Sequence, residues 1–197
     1  ASTAAGLRAQ TADGVRFTSE TDSINASVLG LDATPDTPEF DAYVKQLMIE
    51  LTTKAGQKCT AIRRAIVPAP LVEPLVAALQ AKIAERVVIG DPHAESVTMG
   101  PLVSTAQRDE VLRQVAALQA AGGELLMGST DAPSVVHADG STGPAPEGAF
   151  VAPMLVGFAD TTAPAVHEVE AFGPVSSVLE AFGIEKGYMT TIHSYTG

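Results

Sequence analysis

Apolar positions between residues 38 and 55 recur at three- and four-residue steps, so that Phe40, Val44, Leu47, Met48 and Leu51 form one face of a helix. Thr37 before Pro38 predicts its N-cap and first turn, and Gly56 its end. The run Ala61-Ile62-Arg63-Arg64-Ala65-Ile66-Val67 then reads as a strand closed by Pro68, which places Cys59 at a helix-to-strand junction. A second helix is expected over 70–84, leading to the apolar run Val87-Val88-Ile89, and a third over 105–120, ended by Gly122-Gly123. After it, Glu124-Leu125-Leu126-Met127 is strand-like, and strands are suggested at 149–151 and 154–156 on either side of Pro153. Residues 128–148, rich in Gly, Pro, Ser and Asp, predict a surface loop or insertion. Near the start, residues 1–10 have helical character, Ala12-Asp13-Gly14 signals a turn, and Val15-Arg16-Phe17 a short strand. Helices and strands alternate, which is the rhythm of α/β layers.

Composition narrows the classes without choosing one. The 197 residues, 46% of them apolar, suffice for a real core built mainly of Ala, Val, Leu and Ile, since the aromatics are six Phe and three Tyr with no Trp. A formal net charge of −11 repels a phosphate backbone, and Arg63-Arg64 is the one adjacent basic pair, so no nucleic-acid partner is expected. No run approaches the roughly 20 apolar residues of a membrane span, and the start has no basic, apolar leader. A soluble, cytoplasmic protein without a membrane partner is the expectation. The missing initiator Met and the abrupt end at Gly197 hint at an excerpt.

One cysteine can form neither an internal disulfide nor a thiolate metal site, which suits a reducing compartment. In the stretch Lys54-Ala55-Gly56-Gln57-Lys58-Cys59-Thr60-Ala61-Ile62-Arg63-Arg64 the thiol has Lys58, Arg63 and Arg64 as sequence neighbours, a locally positive field that favours thiolate. These residues alone leave two readings open: a small packed side chain or a reactive nucleophile. His93, His137 and His167 show no metal-ligand spacing, lie in polar loops and read as exposed, so no metal is expected.

Gly56-Gln57-Lys58-Cys59 followed by Arg63 resembles the active-site signature of the aldehyde dehydrogenase family, in which Gly-Gln-X-Cys presents the nucleophile. The run from Thr52 to Arg64 is similar in particular to the phenylacetate-degradation bifunctional enzymes and the semialdehyde dehydrogenases of benzoyl-CoA breakdown. Upstream, Phe17-Thr18-Ser19-Glu20-Thr21-Asp22-Ser23-Ile24-Asn25 resembles the family's general-base motif, with Glu20 at the position of the base. Val97-Thr98-Met99-Gly100-Pro101-Leu102-Val103 is like the family's Gly-Pro-Leu element before a helix and is assigned no chemistry. Glu170-Ala171-Phe172-Gly173-Pro174 resembles Glu-X-Phe-Gly-Pro, which implies that Glu170 binds the nicotinamide-ribose hydroxyls and Phe172 contacts the nicotinamide ring.

The resemblance covers roughly residues 1–180. It implies an open, twisted, mostly parallel sheet with flanking helices, like the family's catalytic domain, over residues 21–181. Residues 1–20 would be a remnant of the coenzyme-binding domain. Residues 182–197 are similar instead to glyceraldehyde-3-phosphate dehydrogenase around its catalytic histidine, matched by His193, but that family's Ser-X-Cys context is absent. A join of two unrelated dehydrogenase sequences near Glu180 to Phe182 is therefore expected, with His193 non-catalytic. The implied activity is NADP- or NAD-dependent oxidation of a small-molecule aldehyde, in this branch a CoA-linked semialdehyde of aromatic-acid breakdown, through a thiohemiacetal and thioester on Cys59. The implied parent is a homo-oligomer. A catalytically silent α/β fragment or fusion product is the alternative, and for the chain alone no reduced coenzyme is expected.

Overall fold

The computed structural model describes residues 2–10, 16–18, 24–145 and 148–181. Two observations organise it: a five-stranded sheet, and an apolar core on each of its faces. In chain order the elements are α1 (Ser2–Gln10), β1 (Asn25–Val28), α2 (Pro38–Thr52), a 3-10 turn (Thr53–Gly56), β2 (Ile62–Pro68), α3 (Ala69–Arg86) and α4 (Thr105–Ala120). There follow β3 (Glu124–Met127), β4 (Ser134–Val136), β5 (Thr142–Pro144), β6 (Met154–Phe158), α5 (Ala165–Glu168) and β7 (Val175–Ala181). The sheet order is β1-β2-β7-β6-β3. β1 with β2, β2 with β7 and β7 with β6 run parallel, and β3 is antiparallel on the edge. The expected mostly parallel α/β sheet is what forms.

Successive strand residues point to opposite faces, and the cores divide accordingly. Met154, Val156 and Phe158 of β6 join Val175 and Leu179 of β7 and Val111, Val115 and Leu118 of α4. Leu155 and Val178, together with Ala65 and Val67 of β2, face the other way, against Val44, Leu47 and Leu51 of α2 and Leu71, Leu75 and Leu79 of α3. At roughly 1.5–3 kcal/mol per buried aliphatic side chain, these two layers dominate the favourable side of folding.

Local differences from expectation have physical causes. α2 stops at Thr52 rather than near 55, because Lys54, Ala55 and Gly56 all take positive φ (54°, 51° and 69°). The 128–148 insertion carries a small hairpin, β4 with β5. Residues 149–151 are no strand: Ala149 and Val151 are buried, and the Ala149 carbonyl accepts from the Leu102 N–H, outside any ladder. Arg16 and Phe17 likewise lie in no strand, while Val15 is outside the described residues. Val87–Ile89 supplies only a single bridge, Ile89 with Met99. Glu20 and His193 fall outside the described residues, as do most of residues 11–23 and all of 182–197. Among the described residues no helix is long and apolar enough to cross a membrane.

Candidate active site

Three segments meet around the cysteine: the turn after α2, the strand β2 that follows it and, more than 100 residues further along the chain, residues 170–174 ahead of β7. The turn is left-handed over Lys54, Ala55 and Gly56. L-residues in this conformation cost roughly 1–2 kcal/mol each. Gly56 is required by space as well as by φ, since a Cβ there would lie 2.2 Å from the Gly173 carbonyl oxygen. Gln57 fastens the turn at both sides: its Nε2 donates to the Lys54 carbonyl at 2.9 Å and its Oε1 accepts from the Val103 N–H at 3.0 Å. The Gly-Pro-Leu element thus serves as an abutment for the turn, which the sequence did not reveal.

Cys59 is exposed. Of its two sequence readings, the packed core residue is ruled out by position. Its backbone carbonyl accepts a short hydrogen bond from the side-chain amide of Asn25, which also donates to the Ala61 carbonyl at 3.2 Å. Asn25 is the last residue of the motif that begins near Glu20, so the described end of that motif is bonded to the peptide of Cys59 itself. The resemblance marked Asn25 only as part of a pattern.

The positive field expected around the thiol is largely matched by carboxylates. Lys58 pairs with Glu50 of α2 at 2.8 Å, and Glu50 also accepts from Gln46 at 2.9 Å. Arg63 points inward and is 4% exposed. Its Nη2 donates to the Gly56 carbonyl and its Nη1 to the Gly173 carbonyl, each at 2.7 Å, and its Nε lies 3.5 Å from Glu170 Oε1. The guanidinium carbon sits 5.2 Å from the centre of the Phe172 ring, within cation–π range. Burial lowers the Arg63 pKa, and Glu170 opposes that shift; arginine stays charged regardless.

Arg64, on the opposite face of β2, donates to the Ile24 carbonyl and to His167 Nδ1. A guanidinium can only donate. The His167 proton therefore sits on Nε2, which donates to the Thr161 carbonyl at 2.9 Å. His167 is exposed as expected, but it lies in α5 rather than in a loop.

Glu170 keeps 24% of its side chain exposed, and Phe172 is 37% exposed beside it. Gln107 of α4 holds the Phe172 carbonyl at 2.9 Å. The structure thus brings Cys59, Glu170 and Phe172 into one locale through Arg63, whose bridging role no linear pattern signalled.

A model of the aldehyde dehydrogenase family matches residues 2–187. The 3,4-dehydroadipyl-CoA semialdehyde dehydrogenase of Aromatoleum evansii is 41% identical over 184 residues, which cover 91% of this chain and 34% of that protein. Betaine aldehyde dehydrogenase 1 of Rhizobium meliloti (strain 1021) is 32% identical over 146 residues, 74% of this chain and 28% of the relative. The chain spans about a third of the length of these curated relatives. Among solved structures, a double mutant of betaine aldehyde dehydrogenase from Staphylococcus aureus in complex with NAD+ aligns with a TM-score of 0.71 at 24% identity, covering 91% of this chain and 34% of that one. NAD-dependent aldehyde dehydrogenase from Sinorhizobium meliloti aligns at 0.63 with 25% identity, covering 81% and 28%.

Proposed function

The chain belongs to the aldehyde dehydrogenase family, and on that premise we propose that it carries the nucleophile and general base of an oxidoreductase converting an aldehyde to a carboxylic acid. The single observation supporting this most is the exposed Cys59 on a turn fastened by Asn25, Gln57 and Arg63, the last joining it to the Glu170–Phe172 segment.

A partly exposed carboxylate beside an exposed aromatic ring fits the nicotinamide riboside end of a dinucleotide, NADP or NAD. Glu170 would accept hydrogen bonds from two ribose hydroxyls, a charge-assisted and orienting pair, and Phe172 would lie against the ring. When bound, the coenzyme supplies the hydride acceptor for the oxidation.

The remaining chemistry belongs to the chain. Cys59 Sγ bonds to the aldehyde carbon, whose oxygen takes up the negative charge of a thiohemiacetal. After oxidation at that carbon the acyl group rests on sulfur as a thioester. Glu20 accepts a proton from water, the resulting oxygen nucleophile attacks the acyl carbon, and the C–S bond breaks to return the Cys59 thiolate and release the acid. For the substrate we propose a CoA-linked semialdehyde of aromatic-acid breakdown, by analogy with the 41% identical relative.

The test uses the full-length polypeptide carrying this sequence, with NADP+ or NAD+ and a CoA-linked semialdehyde. Cys59→Ala is expected to abolish reduced-coenzyme formation. Glu20→Gln is expected to slow turnover about 10²–10⁴-fold and to accumulate an acyl adduct on Cys59, detected by intact mass. Undiminished turnover in Cys59→Ala would overturn the assignment.

A further inference from the structure

We propose that Arg63 is a positioning residue that places Cys59 and Glu170 jointly, so that engagement of the Glu170 carboxylate is transmitted to the thiol. The inference rests on the coenzyme role given to Glu170 above and adds a link that role does not contain.

One buried guanidinium spans two segments 110 residues apart in sequence. Toward the cysteine turn it donates to the Gly56 carbonyl at 2.7 Å and the Lys58 carbonyl at 3.4 Å. Toward the other segment it donates to Gly173 at 2.7 Å and Val175 at 3.5 Å. Its planar fork can hold both sides in fixed geometry, which a lysine's single ammonium cannot. The bonds to Gly56 and Gly173 are short, whereas the Glu170 contact is not. Arg63 Nε is buried without a well-formed hydrogen bond, and the nearest acceptor charge, Glu170 Oε1, stands 3.5 Å away on a partly exposed side chain.

A carboxylate so loosely held can leave the guanidinium for a ligand's hydroxyls. When it does, the buried cation loses its closest counter-charge and leans harder on the remaining acceptors, the carbonyls of Gly56, Lys58, Gly173 and Val175. Two of these belong to the turn that presents Cys59, and Lys58 is its immediate neighbour. The left-handed backbone of that turn, wedged against Gly173, has little slack to absorb the change. Occupancy at Glu170 is thereby felt in the placement of the sulfur.

The coupling is read from the rate at which iodoacetamide alkylates Cys59 in coenzyme-free full-length protein at fixed pH, the site being confirmed by peptide mass. Wild type, Arg63→Lys, Arg63→Met, Glu170→Gln and the double variants are compared, each first shown to melt cooperatively. Arg63→Lys and Arg63→Met are both expected to change the rate at least about fivefold, and Glu170→Gln to change it in wild type but not when Arg63 is replaced. If Arg63→Met does not fold, the cycle is completed with Arg63→Lys. Wild-type alkylation in Arg63→Lys would overturn the proposal, because charge alone would then suffice. Independent, multiplying effects of the Arg63 and Glu170 changes would overturn it equally. The result separates from the assignment of the nucleophile: turnover surviving in Cys59→Ala sinks that assignment and leaves the measured coupling standing, while an uncoupled cycle with inactive Cys59→Ala does the reverse.

Discussion

Lys54 and Ala55 occupy left-handed backbone without glycine's freedom, and Gly56 occupies it with no room for anything larger. The three positions therefore respond differently to substitution. Gly56→Ala adds a methyl against Gly173 and Pro174 and forces an L-residue into a φ of 69°, at a combined cost above about 2 kcal/mol. Lys54→Gly removes strain at an exposed position, and glycine's greater unfolded-state entropy offsets part of the relief, so it should be neutral to roughly 0.5 kcal/mol stabilising. Urea midpoints of the two variants check this, and a Gly56→Ala midpoint equal to wild type would show that the 170–175 segment yields to the turn. Backbone strain of this kind persists where the surroundings over-determine it; here Gln57 and Arg63 are those surroundings. The four residues Gly56 to Cys59 were legible as a signature, but the direction of Arg63 was not. A linear reading counts it as positive charge near a thiol, whereas the fold turns it inward onto Glu170 and, most closely, the Gly56 and Gly173 carbonyls.

At the level of elements, α2 and β1 are joined by Tyr43, whose hydroxyl donates to the Ser27 carbonyl at 3.2 Å. Burial pushes its pKa up to about 12, with a smaller lowering by the Ser27 side chain opposing the shift. The unfolded chain releases this proton near pH 10 and the folded chain near 12, so above pH 10 the native state binds more protons and stability falls as pH rises. A two-unit gap corresponds to roughly 2–3 kcal/mol, present below pH 10 and lost by about pH 12. Tyr43→Phe should cost about 1 kcal/mol at neutral pH and flatten the alkaline slope, as measured by denaturation between pH 8 and 12; an unchanged slope would assign the loss to other groups. The helices were legible because their signals are local: Thr37 caps α2 through the Phe40 N–H, and Ser104 caps α4 through that of Gln107. β1 and β7 were not. Asn25-Ala26-Ser27-Val28 is an edge strand with alternating exposure, and Ser176-Ser177 breaks the apolar run of β7 although both serines are buried. Ser176 is tolerated there because its hydroxyl donates to the Ile62 carbonyl of the neighbouring strand.

Over the whole molecule, the last described strand lies in the middle of the sheet. β7 hydrogen-bonds to β2 on one side and β6 on the other, and the segment just before it supplies the carbonyl that anchors Arg63. The sheet therefore cannot close, and the cysteine turn cannot be fixed against residues 170–175, until the chain has been followed past position 175. Parallel pairing of such distant segments is slow to form, since loop-closure entropy is lost before the contacts form. A chain ended after Glu168 should leave β2 and β6 each with an open edge, strip Val175, Val178 and Leu179 from both cores, and show no cooperative unfolding by far-UV circular dichroism in urea. One ended after Ala181 keeps every described strand and is expected to retain a cooperative transition. Cooperative unfolding of the shorter chain would mean that α2, α3 and β2 hold together without their central neighbour, and that the site is built on a scaffold independent of β7.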